Sequence, residues 1–222
     1  MNEQQQQQPL NHRLDLDRRR RLGMVEAVWG EHKSAGQIIA IARELQAAGE
    51  LMLATRVDQA KALVVQGELD GVLHHPLARC LTLGYLPKPA GSSVAVLTGG
   101  SSDLPVAAEA ELALACHGVA TERIADVGVA GLQRLLNQLT HLEGHRVLIV
   151  CAGMEGSLPT VVAGLVPQPV IAVPVSVGYG VSAGGRAALE GMLSSCAPGL
   201  TVVNIDNGYG AAMAALRILR GV

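Results

Sequence analysis

Five apolar runs alternate with helical patterns along the second part of the chain. The runs are rich in valine and other aliphatic residues and cover residues 94–98, 118–126, 146–153, 169–176 and 200–206. Helical patterns are predicted near residues 103–116, 129–142, 157–165, 183–194 and 209–219. Continuous apolar strands that alternate with helices are typical of a parallel sheet covered on both faces. Because the crossovers in such sheets are right-handed, the pattern predicts a doubly wound, three-layer α/β sandwich.

The first part of the chain has a mixed pattern that predicts a small α+β unit. Two helical stretches, one starting after Ser34 and one ending at Gly67, separate runs with strand character. A stretch rich in proline, glycine and serine then precedes the first strand of the second part. We therefore predict four segments: a disordered glutamine-rich tail (1–12), a small α+β unit (13–84), a linker (85–93) and an α/β domain (94–222).

The composition argues against several classes of function. Aromatic residues make up 2% of the chain, too few for a protein that stacks nucleic-acid bases on aromatic rings. A formal net charge of −2 argues against a nucleic acid or an anionic membrane surface as the partner. The N-terminus has no signal-peptide pattern, no apolar run reaches membrane-spanning length, and the four cysteines form no CxxC pair. We therefore expect a cytoplasmic protein with free thiols.

The first strand of the α/β domain ends in a polar, glycine-rich turn. The turn consists of Gly99, Gly100, Ser101, Ser102 and Asp103. Glycines let the backbone approach a ligand closely, and the N–H groups at the start of a helix attract anions. The turn therefore predicts a phosphate or carboxylate site. The alternative is an ordinary strand-to-helix turn in which Asp103 caps the helix.

Four further loops carry candidate chemistry. Glu155 lies between glycines after the third strand, where it is either a general acid or base or a residue that favours a helix start. The glycine-rich loop at 174–186 matches neither a dinucleotide-binding nor a P-loop fingerprint. Asp206 and Asn207 follow the fifth strand and either orient a ligand or cap the last helix. Cys196 lies in a loop before that strand, as an accessible thiol or as a small buried residue.

These loops resemble the LarB family of the AIR carboxylase-like superfamily. The resemblance extends over roughly residues 12–220 and rests on long strings: TGGSSDLPVAAEA, DVGVAGLQRLL, CAGMEGSLPTVVAGL, PVIAVPVSVGYGVSAGGRAAL and SCAPGLTVVNIDNGYGAA. It implies a three-layer AIR carboxylase-like domain preceded by a small N-terminal unit.

The resemblance also implies a reaction. LarB-type enzymes add CO2 or bicarbonate to C5 of the pyridinium ring of nicotinic acid adenine dinucleotide and cleave the phosphoanhydride. The products are AMP and pyridinium-3,5-dicarboxylate mononucleotide, the first intermediate in the synthesis of the nickel-pincer nucleotide cofactor of lactate racemase. An electron-poor pyridinium ring attacks CO2 only after a nucleophile has added to it. The family's adduct-forming cysteine corresponds to Cys196, and its active-site glutamate, a candidate base, corresponds to Glu155.

The same resemblance implies where substrate and metal bind. The mononucleotide phosphate is expected on the Gly99–Asp103 turn, and further substrate contacts are expected from Gly128, Gly131, Met154, Ser182 and Asn207. Mg2+ is expected to assist the phosphoanhydride cleavage. Asp103 and Asp206 are candidate ligands, but their spacing forms no closed site, so substrate phosphates would complete the coordination.

Three other features are expectations from the family. A histidine is expected where Gln133 stands, so a role of that histidine in proton transfer is in doubt here. The superfamily forms homo-oligomeric rings, commonly octamers. The arginines of the N-terminal unit are either a solvated face or contacts for a phosphate, a neighbouring subunit or the AMP half of the substrate; they are Arg13, Arg18, Arg19, Arg20, Arg21 and Arg56.

Two other functions remain open at this point. The first is an aminoimidazole ribonucleotide carboxylase of purine synthesis, a chemistry that requires neither Cys196 nor the N-terminal unit. The second is a non-catalytic nucleotide-binding module, because a fold by itself does not establish an activity.

Overall fold

The computed structural model describes residues 12–91 and 93–221. Residues 1–11 of the predicted disordered tail and Ser92 of the predicted linker lie outside this range. The described residues form two compact units, one ending at Tyr85 and the other beginning at Leu86.

The first unit is a small α+β fold with a four-stranded sheet. Its elements are α1 (Arg18–Leu22), β1 (Ala27–Trp29), α2 (Ala35–Ala47), β2 (Met52–Thr55), α3 (Gln59–Glu68), β3 (Leu73–His75) and β4 (Cys80–Leu83). The strand order is β1-β2-β4-β3, with β1 and β2 parallel and the other pairs antiparallel. Helices and sheet share a core that includes Ile38, Leu45 and Met52, all buried. This agrees with the predicted small N-terminal unit.

Capping side chains define where the two main helices of this unit begin. Ser34 accepts the backbone N–H of Gln37 at 3.2 Å, and the Gln37 side chain accepts the Ser34 N–H at 2.9 Å. This reciprocal pair satisfies two N–H groups that a helix start otherwise leaves unpaired. Asp58 caps α3 in a similar way by accepting the N–H of Lys61 at 2.8 Å. The predicted helix start after Ser34 is therefore confirmed.

The second unit is a three-layer α/β fold. Its elements are β5 (Ser93–Thr98), α4 (Leu104–Ala115), β6 (Ala120–Ile124), α5 (Leu132–Leu136), α6 (Leu139–Leu142), β7 (Val147–Ala152), α7 (Leu158–Ala163), β8 (Val170–Pro174), α8 (Arg186–Leu193), β9 (Thr201–Val202) and α9 (Gly208–Arg220). The five strands are all parallel in the order β6-β5-β7-β8-β9. The predicted doubly wound parallel sheet is confirmed.

Both faces of this sheet are covered because its central strands are apolar on both sides. All six residues of β7 are buried. Residues of one face, including Leu148 and Val150, pack against α5 to α8. Helices α4 and α9 pack against each other. Helix α4 also packs on β5, and helix α9 packs on β7 and β8. Within residues 12–91 and 93–221, no helix is long and apolar enough to cross a bilayer.

Two predicted elements differ from the structure. The helix predicted at 129–142 is divided into a 3-10 turn at Val129–Gly131 and the short helices α5 and α6. The strand predicted at 200–206 is reduced to β9, because the chain turns before Asp206, which has a left-handed backbone (φ 53°). The backbone N–H of Asp206 then donates to Pro174 O at 2.9 Å, which fixes this turn against the end of β8.

We expect Leu148→Ala to destabilise the protein by about 2–5 kcal/mol, because Leu148 is fully buried in β7 and truncation leaves a cavity. Leu193→Ala is the matched control, since Leu193 is 65% exposed at the end of α8 and its truncation costs less than about 0.5 kcal/mol. Chemical denaturation followed by circular dichroism measures both. Equal effects of the two substitutions would show that Leu148 is not a core residue.

Candidate active site

Four loops that follow β5, β6, β7 and β8 enclose a cavity of about 520 Å³. The cavity lies where the chain order reverses, since β6 flanks β5 on one side and β7 flanks it on the other. Open α/β sheets bind ligands at this place, at the carboxyl ends of the strands. The volume is in the usual range for a small-molecule site. Seven of the residues predicted for the site line the cavity: Gly99, Gly100, Ser102, Asp103, Gly128, Met154 and Glu155.

The turn after β5 is organised by a buried carboxylate. Asp103 is 4% exposed and accepts the N–H of Gly100 at 2.9 Å, and the N–H groups of Gly99 and Gly153 lie near its side chain. Its side chain makes no capping bond to α4 but caps the 3-10 turn at Ser101–Asp103 that leads into α4, so the alternative of a local helix cap stays open. Burial raises the pKa of Asp103, while these backbone N–H groups lower it. The carboxylate therefore holds the turn in shape from inside.

Two glycines let the cavity loops pack backbone against backbone. A Cβ atom on Gly128 would lie 2.5 Å from Gly99 O, so the loop after β6 fits against the turn after β5 only without a side chain there. A Cβ atom on Gly153 would lie 2.2 Å from Val177 O, which joins the loops after β7 and β8 in the same way. The glycine-rich pattern is thus explained by loop packing around the cavity.

Glu155 supplies a carboxylate to the cavity wall. It is exposed, and the Ser157 hydroxyl donates a hydrogen bond to its side chain. This hydrogen bond is the main cause that lowers the pKa of Glu155, and burial opposes it only in part. Glu155 therefore faces the cavity as an anion at neutral pH, as a general base must.

Cys196 is exposed in the loop between α8 and β9 and does not line this cavity. The neighbouring Ser195 hydroxyl accepts a hydrogen bond from Thr160 at 2.8 Å, which holds the loop against the first turn of α7. Helix α8 also packs on the glutamate loop, since a Cβ atom on Gly191 would lie 2.5 Å from Glu155 O. The loop of Cys196 is therefore held against α7, the helix whose first residue lines the cavity. The exposed thiol itself is not part of the cavity lining.

Other predicted residues support the site from outside. Ser182 is buried, and its carbonyl would lie 2.3 Å from a Cβ atom on Gly178. Asn207 caps α9 by accepting the N–H of Gly210 at 2.7 Å. Ser101 is exposed at the start of its 3-10 turn, and Gly131 directly precedes α5. None of these four predicted binding residues lines the cavity.

The predicted metal ligands serve the backbone instead of forming a closed metal site. Asp206 accepts the N–H of Ser176 at 2.8 Å, and Asp103 is engaged in the turn after β5. The charge of Asp206 contributes to the raised pKa of Asp103. Among the described residues, no group of three or more His, Cys, Asp or Glu side chains is arranged to hold a metal ion. The described residues alone thus do not offer the oxygen cluster that Mg2+ requires.

Sequence reasoning missed Arg134, Ser157 and Tyr179, which also line the cavity. The sequence predicted one continuous helix at 129–142, and in such a helix Arg134 is an ordinary surface residue. This is why its place in the cavity lining was not predicted. Gln133, where a histidine was expected, is exposed on α5, donates to Asn137 Oδ1 at 3.2 Å and does not line the cavity.

The arginines near the N-terminus pair with acidic residues of their own unit. Arg20 lies 2.6 Å from Asp17, and Arg21 pairs with Asp15. The remaining pairs are Arg18 with Glu26, Arg19 with Glu50 and Arg56 with Glu31, at 3.4–3.6 Å. These contacts favour the interpretation of the arginines as a solvated, ion-paired face of the first unit.

The parallel sheet, its glycine-lined cavity and the preceding α+β unit together define an α/β protein with a small-molecule site. The profile of the LarB/PurE-like N-terminal domain matches residues 9–85, and that of AIR carboxylase matches residues 93–221. The chain therefore belongs to the LarB family, within the AIR carboxylase-like superfamily. This membership supports a carboxylase- or mutase-type enzyme.

Two relatives from Methanocaldococcus jannaschii agree with this assignment. An uncharacterized protein is 38% identical over 211 residues, which cover 90% of this chain and 81% of the relative. An N5-carboxyaminoimidazole ribonucleotide mutase is 37% identical over 133 residues, covering 57% of this chain and 78% of the mutase. The first relative thus resembles this chain over both units, and the second over little more than half of it.

We expect one of the four thiols to react rapidly with a disulfide reagent in the native protein. Cys196 is exposed, whereas Cys80, Cys116 and Cys151 are buried. Burial also raises the pKa of Cys116 to about 12 and raises that of Cys151 well above its ordinary value, which suppresses their reactive thiolates. Titration with Ellman's reagent, before and after addition of guanidinium, measures this. Cys196→Ser should abolish the rapid phase, and a rapid phase that survives would contradict the assignment.

Proposed function

We propose that this protein is a pyridinium-3,5-biscarboxylic acid mononucleotide synthase. Its substrate is nicotinic acid adenine dinucleotide, which it carboxylates at C5 of the pyridinium ring and hydrolyses at the phosphoanhydride. The products are pyridinium-3,5-dicarboxylate mononucleotide and AMP. The observation that carries the proposal is the LarB/PurE-like N-terminal domain in front of the AIR carboxylase domain, because the carboxylase domain alone fits several reactions.

The proposed chemistry begins with the thiolate of Cys196. Addition of the sulfur to C4 of the pyridinium ring gives a dihydropyridine whose C5 is nucleophilic. C5 then forms a bond to CO2, and Glu155 removes the proton from C5. Departure of the thiolate from C4 restores the aromatic ring, and water cleaves the phosphoanhydride to release AMP. The lowered pKa of Glu155 supports its role as the proton acceptor.

The phosphate of the mononucleotide half is proposed to bind the turn after β5. Gly99, Gly100 and Ser102 line one end of the cavity, where Ser102 offers a hydroxyl, while the N–H groups of Gly99 and Gly100 already donate to Cys151 O and to the Asp103 carboxylate. This arrangement leaves the ring near Met154 and Glu155, on the loop after β7.

The positions of Glu155 and Cys196 favour an assembly of several chains. Glu155 lines the cavity, whereas Cys196 is exposed beside α7, so contact with a second subunit would enclose the thiol. We propose a homo-oligomer, with an octamer as the expected form from the superfamily. A reactive thiol also requires a reducing compartment, which is why the cytoplasm is part of the proposal.

Mg2+ is proposed to enter with the phosphates of the substrate. Asp103 and Asp206 bind backbone N–H groups, so their contribution is negative charge near the cavity and not a preformed ligand set. CO2 or bicarbonate is the proposed second substrate.

A second candidate function is the conversion of aminoimidazole ribonucleotides. The mutase relative, 37% identical over 133 residues, favours it. A non-catalytic nucleotide-binding module is the third. The three differ in what they require of Cys196, since only the first uses its sulfur as a nucleophile.

The decisive experiment incubates the protein with nicotinic acid adenine dinucleotide, bicarbonate and Mg2+ and follows products by mass spectrometry. We expect AMP and a mononucleotide with one additional carboxylate. Cys196→Ala should remove turnover and any protein–substrate adduct while the fold survives. Cys116→Ala, a buried cysteine far along the chain from the site, should retain both. An unchanged dinucleotide would reject the proposal, and aminoimidazole ribonucleotide would then be the substrate to test.

The pH dependence of turnover should report the hydrogen bond between Ser157 and Glu155. The Ser157 hydroxyl stabilises the carboxylate, so Ser157→Ala raises the pKa of Glu155. Activity that needs the ionised carboxylate is lost as the pH falls, and in the variant we expect this loss at a higher pH. Ser194→Ala is the control, because the Ser194 hydroxyl donates to the carbonyl of Glu190 on α8. An unshifted acidic limb in Ser157→Ala would argue against Glu155 as the base.

A further inference from the structure

Two neighbouring serines precede Cys196, and their hydroxyl groups bond in different directions. The Ser194 hydroxyl donates to the carbonyl of Glu190 at 2.6 Å, so it folds back onto its own helix, α8. The Ser195 hydroxyl instead accepts a hydrogen bond from the Thr160 hydroxyl of α7 at 2.8 Å. Ser195 therefore connects the loop of the thiol to a second helix.

The Ser195 hydroxyl also closes a turn within the thiol loop (residues 194–199). It accepts the backbone N–H of Ala197 at 3.1 Å, so its side chain bonds across Cys196 to the residue that follows. Serine turns of this kind are weak by themselves, because the hydroxyl is free to rotate. The hydrogen bond from Thr160 fixes the Ser195 oxygen, and with it the backbone on both sides of Cys196. These two hydrogen bonds are called the hydroxyl bridge below.

Helices α7 and α8 are also joined through the loop that carries Glu155. Helix α7 begins at Leu158, three residues after Glu155. A Cβ atom on Gly156 would lie 2.7 Å from Ala188 O, and one on Gly191 would lie 2.5 Å from Glu155 O. Backbone contacts this close leave no room for α8 to slide along the glutamate loop. The glycine contacts thus fix α8, and the hydroxyl bridge fixes the loop that follows it.

We propose that Thr160 and Ser195 are positioning residues that hold Cys196 at a fixed place relative to Glu155. The inference rests on the proposed function, in which the sulfur adds to C4 of the ring and the carboxylate removes a proton from C5. Because C4 and C5 are one bond apart, a small displacement of either group misaligns both steps. Neither Thr160 nor Ser195 lines the cavity, so both act through Cys196 and leave substrate binding to the cavity loops.

The first test is steady-state turnover of nicotinic acid adenine dinucleotide by the full chain. Thr160→Val removes the hydroxyl donor and keeps the shape of the side chain, so we expect kcat to fall about tenfold. KM should stay within about twofold, because the substrate contacts are unchanged. Thr160→Ser keeps the hydroxyl and should retain about half or more of the wild-type kcat. Thermal unfolding of every variant verifies the fold.

Ser194→Ala is the matched control, since Ser194 is the neighbouring serine of the same loop but donates to α8. Its kcat should remain within about twofold of the wild type. Ser195→Ala should lower kcat at least as much as Thr160→Val does. Adding Thr160→Val to Ser195→Ala should cause no further loss, because the two hydroxyls form one hydrogen bond. Independent, multiplicative losses would contradict the hydroxyl bridge.

Hydrogen exchange followed by mass spectrometry tests the bridge without any substrate. Since the Ala197 N–H donates to the oxygen that Thr160 fixes, Thr160→Val should speed exchange in the thiol loop about fivefold. The peptide that covers α9 is the internal reference and should exchange at the wild-type rate, because the change is local.

The proposal is overturned if Thr160→Val converts the dinucleotide with the kcat of the wild type, or if its thiol loop exchanges at the wild-type rate. Failure of the proposed function has a different signature, in which the wild type itself leaves the dinucleotide unchanged. Exchange in the thiol loop then decides by itself whether Thr160 holds Cys196 in place.

Discussion

The candidate site depends on backbone-to-backbone packing of the loops at the ends of the parallel strands. Gly128 lies against Gly99 O, and Gly153 lies against Val177 O, at separations that leave no space for a Cβ atom. These contacts hold the walls of the cavity together. Any side chain at either glycine would separate two loops at once, because protein interiors are close-packed and do not absorb an added atom.

The charges around the cavity have separate structural origins. Asp103 is buried and serves the turn after β5, so its raised pKa reflects the cost of burying the charge. Glu155 is exposed, and the hydroxyl of Ser157 lowers its pKa. Arg134 is supported by Asp126 from the neighbouring strand end. Two acids of the same chemical type thus have opposite pKa shifts, which is how one site separates a structural carboxylate from a candidate base.

The exposed position of Cys196 is the reason why the proposed function includes a homo-oligomer. Its loop is held by Ser195 against α7, and the helix before it packs on the backbone of Glu155. The thiol is therefore close in structure to the glutamate loop although it faces outwards. The proposed homo-oligomer would place a neighbouring subunit over this surface, which is why oligomerisation is part of the proposed chemistry.

The sequence by itself determined the parallel sheet, the N-terminal α+β unit and the strand-end loops that carry the site. These follow from local patterns: continuous apolar strands, helix caps such as Ser34, and glycines at strand ends. The sequence also offered the local hydrogen bonds of Asp103 with Gly100 and of Asn207 with Gly210 as alternatives, and the tertiary structure shows that both form. The tertiary structure alone decided that Arg134 enters the cavity and Cys196 stays outside it. The reason is physical, since such roles depend on contacts between segments far apart in the chain, and those contacts leave no periodic signal in the sequence.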